Sequence, residues 1–240
     1  HEQALVIHRE VGNRQFEGIV LGYLATLHQE QGRMEEARQL HEQALVIHRE
    51  VGNRQFEGIV LGYLATLHQE QGRMEEARQL CEQALVIHRE VGNRRDEGIV
   101  LGDLADWRRL TSGDLTAACE HAVHGEGMMR EVGDRLCLAV LLCQRGHIEL
   151  AATRTAREFL DEVNVLASAM GVGPASRLGQ SLARLRCAQE AFDAGEHDRL
   201  FRGQLLEDLT EGQRRWLVEC GHLERERAVL PEDAPRTALS

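Results

Sequence analysis

Residues 1–40, HEQALVIHREVGNRQFEGIVLGYLATLHQEQGRMEEARQL, recur without a change at 41–80. Residues 81–100 repeat the run once more with three replacements, Cys81, Arg95 and Asp96. Beyond them the copies diverge, although Leu101, Gly102, Leu104 and Ala105 keep step. A period near 40 residues with this fidelity marks a repeat architecture rather than a globular enzyme core. A recent duplication and a constructed one would both leave copies this close.

Each unit reads as two helices. The first is predicted over 14–31, where Val20, Leu24 and Leu27 form one stripe widened by Ile19 and Leu21. Asn13 is placed to cap its start, and Asp134 takes that role in a later unit. Gly32 ends it, because glycine accepts the left-handed conformation that closes a helix. The second helix is predicted over 34–50, with Ala37, Leu40, His41, Ala44, Ile47 and Val51 at 3,4 spacing. Glu35 and Glu36 oppose the positive end of its dipole. Gly12, Gly52, Gly92 and Gly133 stop successive second helices. Two amphipathic helices joined by so short a turn pack antiparallel, and each pair leaves an apolar side for the next pair to cover. The expected fold is an all-α solenoid of antiparallel helix pairs.

The run Leu24-Ala25, His28, Gly32, Ala37 and Ala44 resembles the tetratricopeptide repeat, and Leu64, Ala65, Gly72, Ala77 and Ala84 renew the match. The resemblance implies a right-handed solenoid whose first helices line a concave face where ligand peptides lie. The unit is longer than the family's usual one, the excess lying in the second helix and the Val-Gly-Asn-Arg loop. In this it resembles the repeats of kinesin light chains, of Leu-Gly-Asn-rich polarity adaptors and of multidomain bacterial signalling proteins. His28 and His68 stand where the family has Tyr, and His41 and Cys81 where it has a large aromatic. Regular repeats are expected over 1–133, starting in mid-repeat. Residues 134–230 are read as degenerate repeats and a C-terminal helical cap, with Gly146 and Ala151 matched to a turn and a close crossing, and 231–240 as a flexible tail.

Composition narrows the function. The 240 residues carry 28 basic groups against 39 acidic ones, a net charge of -11, and every basic group is an Arg. No basic block rises above that acidic background, so neither nucleic acid nor an anionic membrane surface is an expected partner. No run of 18 apolar residues exists to span a bilayer. The six cysteines form no CxxC and read as reduced thiols of a cytoplasmic protein. The chain begins at His1 in mid-pattern, as a processed chain or a fragment does. No phosphate-binding glycine loop, HExxH or GxSxG is present, and neither an enzyme nor a cofactor is expected.

Carried over from the resemblance, the partner-binding residues would be Ile19, Gly22, Thr26 and Gln29, with copies Ile59, Gly62, Thr66 and Gln69. Identical surface at fixed spacing suits an extended or repetitive protein partner and gains affinity by multivalency. Unselected surface left by duplication is the alternative. The third unit varies the theme with Asp103, Asp106 and Arg109, a constellation suited to a basic segment. It also reads as a solvated helix face, and a catalytic use of the two carboxylates would need a pocket. The Lys and Asn clamp by which some family members hold a C-terminal carboxylate has no Lys here. His121 and His124 have helical spacing that a metal could use, but a structural role is the stronger reading and no metal site is assigned. His41, if buried and neutral, would make the stack acid-sensitive. The leading expectation is a non-catalytic adaptor. Self-assembly through exposed repeat ends, and a regulatory segment of a larger signalling protein, are the alternatives.

Overall fold

The computed structural model describes residues 2–152, 154–196, 200–201, 204–205 and 209–219. Five helix pairs or part-pairs follow one another: α1 (Glu2–Glu10), α2 (Arg14–Glu30) with α3 (Met34–Glu50), α4 (Arg54–Glu70) with α5 (Met74–Val91), α6 (Arg94–Thr111) with α7 (Leu115–Val132), and α8 (Arg135–Ala151) with α9 (Arg157–Met170). α10 (Arg177–Asp193) then packs on α8 and α9, followed by a two-residue antiparallel ladder, β1 (Leu200–Phe201) and β2 (Gln204–Leu205), and by α11 (Glu211–Glu219). From α2 to α7, each first helix packs most extensively on the second helix that follows it and less on the second helix before it, which is the contact order of an α-solenoid.

Local chemistry sets the helix ends. The side-chain oxygens of Asn13, Asn53 and Asn93 accept from the backbone N–H three residues on, at 3.2–3.3 Å, and Asp134 does the same for Cys137 at 3.0 Å. Between the paired helices Gly32 and Gly72 take φ of 74° and 76°, a region closed to most side chains. The small side chains Ala25, Ala37 and Ala44 are fully buried where the helices cross, as are their near-copies Ala65, Ala77 and Ala84.

Successive units are locked by a repeated histidine seat. The His48 ring lies against Gly18, where an added Cβ would stand 2.8 Å from Cε1, and it stacks on Phe56 of the next unit at 5.3 Å. His88 fills the same seat against Gly58, and Met129 takes it against Gly98. Beside this seat runs an ion-pair ladder. Buried Glu57 receives Arg49 of the preceding unit at 2.9 Å and Arg54 at 2.6 Å, and Arg54 also reaches Glu90 of the paired helix α5 at 2.6 Å. Burial works to raise the Glu57 carboxyl, but the two guanidinium bonds outweigh it and hold the group below the ordinary glutamate value. Arg9, Arg14, Glu17 and Glu50 form the preceding rung, and Arg89, Arg94, Glu97 and Glu131 the following one.

The later units depart from the sequence reading in two places. Gly146, matched above to a turn, lies inside α8, which runs on to Ala151 before α9 starts at Arg157. Its lack of a side chain serves packing: an added Cβ would stand 2.8 Å from a Leu185 methyl of α10 and 3.3 Å from Ala156. It therefore does what Ala25, Ala65 and Ala105 do in earlier units. The second departure is α11, which does not extend the stack beyond α10. It folds back onto α4 and joins Met74 and Leu110 in a small apolar cluster separate from the main core. The remainder of the expected cap, 220–230, and the expected tail, 231–240, lie outside the described residues.

Candidate functional site

The residues expected to meet a partner fall on three consecutive first helices, α2, α4 and α6. In the first two units they make an open strip. Ile19 and Ile59 are half-buried, and nothing stands within 4 Å of a Cβ added at Gly22 or Gly62. The hydroxyls of the half-buried Thr26 and Thr66 turn back to donate to the carbonyls of Gly22 and Gly62 at 3.2 Å. Gln29 bridges the units, its amide donating to the Glu70 carboxylate at 3.4 and 3.5 Å, while Gln69 is half-buried. Burial raises the Glu70 carboxyl above its ordinary value, against the lowering effect of the Gln29 bond and of Arg177.

The third unit is closed where the first two are open. At Gly102, the counterpart of Gly22 and Gly62, Leu141 and Gln144 of α8 occupy the space a Cβ would take. Arg109 is buried, with 1% of its surface exposed, and holds Asp106 through Nε at 2.9 Å and a terminal nitrogen at 2.6 Å. Asp103 is half-buried, and burial pushes its carboxyl up to about 7, with Arg177 opposing and Asp106 adding to the rise. Of the trio weighed as a solvated face, Arg109 is buried while Asp103 and Asp106 are half-buried. Arg109 and Asp106 spend their charges on each other, while Asp103 has the like-charged Asp106 and the opposing Arg177 of α10 as its charged neighbours. Sequence spacing put them on one helix; it carried no sign of the long-range contacts around them.

Among the described residues, no group of three His, Cys, Asp or Glu side chains is placed to hold a metal ion. Burial pushes the Cys143 thiol up to about 12 and Cys137 to about 11, and raises Cys81 as well, so none of these is a thiolate at neutral pH. No described helix is long and apolar enough to cross a membrane.

Residues 56–131 match a family described as Tetratricopeptide repeat, and residues 20–51 match a second family of the same description. No curated protein matches the chain. With the helix pairs, the small residues at their crossings and the glycine turns in view, residues 20–51 and 56–131 are tetratricopeptide repeats.

Proposed function

We propose that this chain is a non-catalytic adaptor that binds an extended segment of another protein along the concave face of its first helices. The observation that carries the reading is the strip Gly22–Thr26 and its copy Gly62–Thr66: two identical, open and sparsely charged patches on neighbouring helices. Such a surface offers the same contacts twice at a fixed spacing, so a segment engaging one patch meets the second at high effective concentration. The 40-residue spacing supports, on this reading, a likeness to the longer repeats of kinesin light chains and Leu-Gly-Asn-rich adaptors. The function could equally serve a larger signalling protein of which this chain is the docking part.

Affinity capture from a lysate tests the reading, with wild-type bait compared against bait carrying Thr26→Arg and Thr66→Arg at equal helicity. Proteins retained by wild type and lost from the variant are expected. The same proteins retained by both would remove the strip as the binding surface.

One observation favours a second reading, end-to-end self-assembly. Leu27 is 36% exposed beside the start of α1, in an open pocket that it shares with Glu2, Gln3 and Leu24, whereas its copy Leu67 is fully buried. A second chain stacked there would cover it, in a heterologous contact that need not close. Light scattering over a concentration series separates the two readings: growth with concentration belongs to assembly, a constant monomer mass to the adaptor.

A further inference from the structure

The identical copies supply an internal reference for what the C-terminal segment does. Gly32 has nothing within 4 Å of an added Cβ and Met34 is only half-buried. Gly72 and Met74, the same residues one unit on, are covered: the backbone of Gly212 sits where a Cβ on Gly72 would point, and Met74 is 1% exposed. The cover is the segment 209–219. Leu209 and Leu217 bury themselves against Met74 and Leu110, with Trp107, Trp216 and Val218 packed around them. Thr210 Oγ1 donates to the Glu70 carbonyl at 3.1 Å, tying the segment to the end of α4.

The segment is built to be a self-contained short helix. Thr210 and Gln213 bond reciprocally, Gln213 N–H to Thr210 Oγ1 at 3.1 Å and Thr210 N–H to Gln213 Oε1 at 2.9 Å, the two halves of a capping box. Gly212, in its first turn, permits backbone-to-backbone approach, since a Cβ there would stand 2.6 Å from the Gln71 carbonyl group. The seat is selective for units two and three. Where it has Trp107 and Leu110, the preceding unit has Leu67 and Glu70, and a carboxylate in place of Leu110 would oppose an apolar ligand.

The fit leaves a polar group unsatisfied. Met74, Leu110, Leu209, Gln213, Trp216 and Leu217 close around a crevice with no room for a water molecule. The Trp107 indole nitrogen is buried and has no hydrogen-bond partner. Its cluster is also separate from the main core, so the segment can leave without opening the stack. A better ligand would offer the indole N–H an acceptor.

We infer that the seat formed by the α4–α5 turn, Met74, Trp107 and Leu110 is a receptor site for a short amphipathic helix of a partner protein, and that residues 209–219 occupy it in the free chain as an internal competitor. The partner helix is specified by its occupant: an apolar residue, a Ser or Thr cap, a small residue two positions on, and an apolar pair six and seven positions after the cap. This rests on the adaptor reading in that the solenoid recognises peptide segments, but it uses residues other than the Thr26–Thr66 strip.

Both tryptophans of the chain, Trp107 and Trp216, lie in this contact, so their emission reports it without a label. The test compares full-length wild type with Gly212→Ala, which favours the helix but collides with the Gln71 backbone, and with Leu217→Asp as a second variant. The probe is an acetylated, amidated, fluorescein-labelled peptide of residues 209–219. Both variants should keep their helicity, shift tryptophan emission to the red, and bind the labelled peptide at least about tenfold more tightly than wild type, whose seat is filled. Unchanged emission in both variants, or equal peptide binding by all three chains, overturns the inference. A wild-type dimer that Leu217→Asp converts to monomer also overturns it, in favour of segment exchange between two copies. Retention of partners by the Thr26→Arg, Thr66→Arg bait is a separate failure that touches the strip alone.

Discussion

His41 is the buried group most exposed to acid in its consequences. Its ring has no accessible surface, stacks on Tyr63 of the next unit at 5.1 Å, and leaves both nitrogens without a hydrogen-bond partner. Burial alone pushes its pKa down to about 4. In the unfolded chain the ring titrates near 6.5. Between those values the unfolded state binds the proton and the folded state refuses it, so stability is complete above about pH 6.5 and falls as the pH drops towards 4. The full gap is worth about 3 kcal/mol, and lowering the pH from 7.5 to 5.0 should remove about 2 kcal/mol of it. A raw stability curve would not isolate this. Burial lowers His48, His68, His88 and His121 too, which adds to the loss, while the raised carboxyls of Asp103 and Glu70 hold protons in the folded state and oppose it. The chain itself supplies the control, because the third copy carries Cys81 in place of His41. Urea unfolding of wild type and His41→Cys, both under reducing conditions and followed by far-UV circular dichroism, gives a difference in which the other groups cancel. That difference should move by about 2 kcal/mol against wild type between pH 7.5 and 5.0. A difference constant to within about 0.5 kcal/mol would refute the reasoning.

Other consequences of the stack are as open to measurement. Gly58→Ala forces a methyl group to within 2.7 Å of the His88 ring and should cost about 1–3 kcal/mol in urea unfolding, most of it recovered when His88→Ala is added. Glu57→Gln leaves Arg49 and Arg54 without their shared carboxylate; because both guanidinium groups are half-exposed, the loss should be about 1–2 kcal/mol rather than that of a fully buried pair. Asn53→Ala removes the acceptor for the Phe56 N–H and should cost about 1 kcal/mol, seen as a lower unfolding midpoint with unchanged slope.

The regular part of the fold was legible because its determinants are local and repeated. The asparagine caps, the glycine turns and the alanine crossings each act within one helix pair, and three near-copies state the rule three times. Reading failed where the partner residue lies far off in the chain. Gly146 looked like a turn because glycine at that spacing ends the earlier helices; its real partners are Leu185 and Ala156, and the second lies past the end of α8. The helical spacing of Asp103, Asp106 and Arg109 was plain in the sequence, but their surroundings come from later helices, including Arg177 of α10. The α11 dock is the longest such contact, joining Thr210 to Glu70 across 140 residues. Its signals were present in the sequence: a Thr-x-x-Gln capping box at 210–213 and the only two tryptophans of the chain. His48 and His88 fill the seats against Gly18 and Gly58, contacts that a recurring histidine does not announce by itself.

The adaptor account is tested most directly by photo-crosslinking. A photoreactive phenylalanine analogue is placed at Thr26 or Thr66 on the first helices, or at Gln39 or Gln79, exposed on the second helices, and each bait is irradiated in lysate. The account expects the same partner bands from Thr26 and Thr66 and none from Gln39 or Gln79. Bands from the second-helix positions, with none from the first, would contradict it.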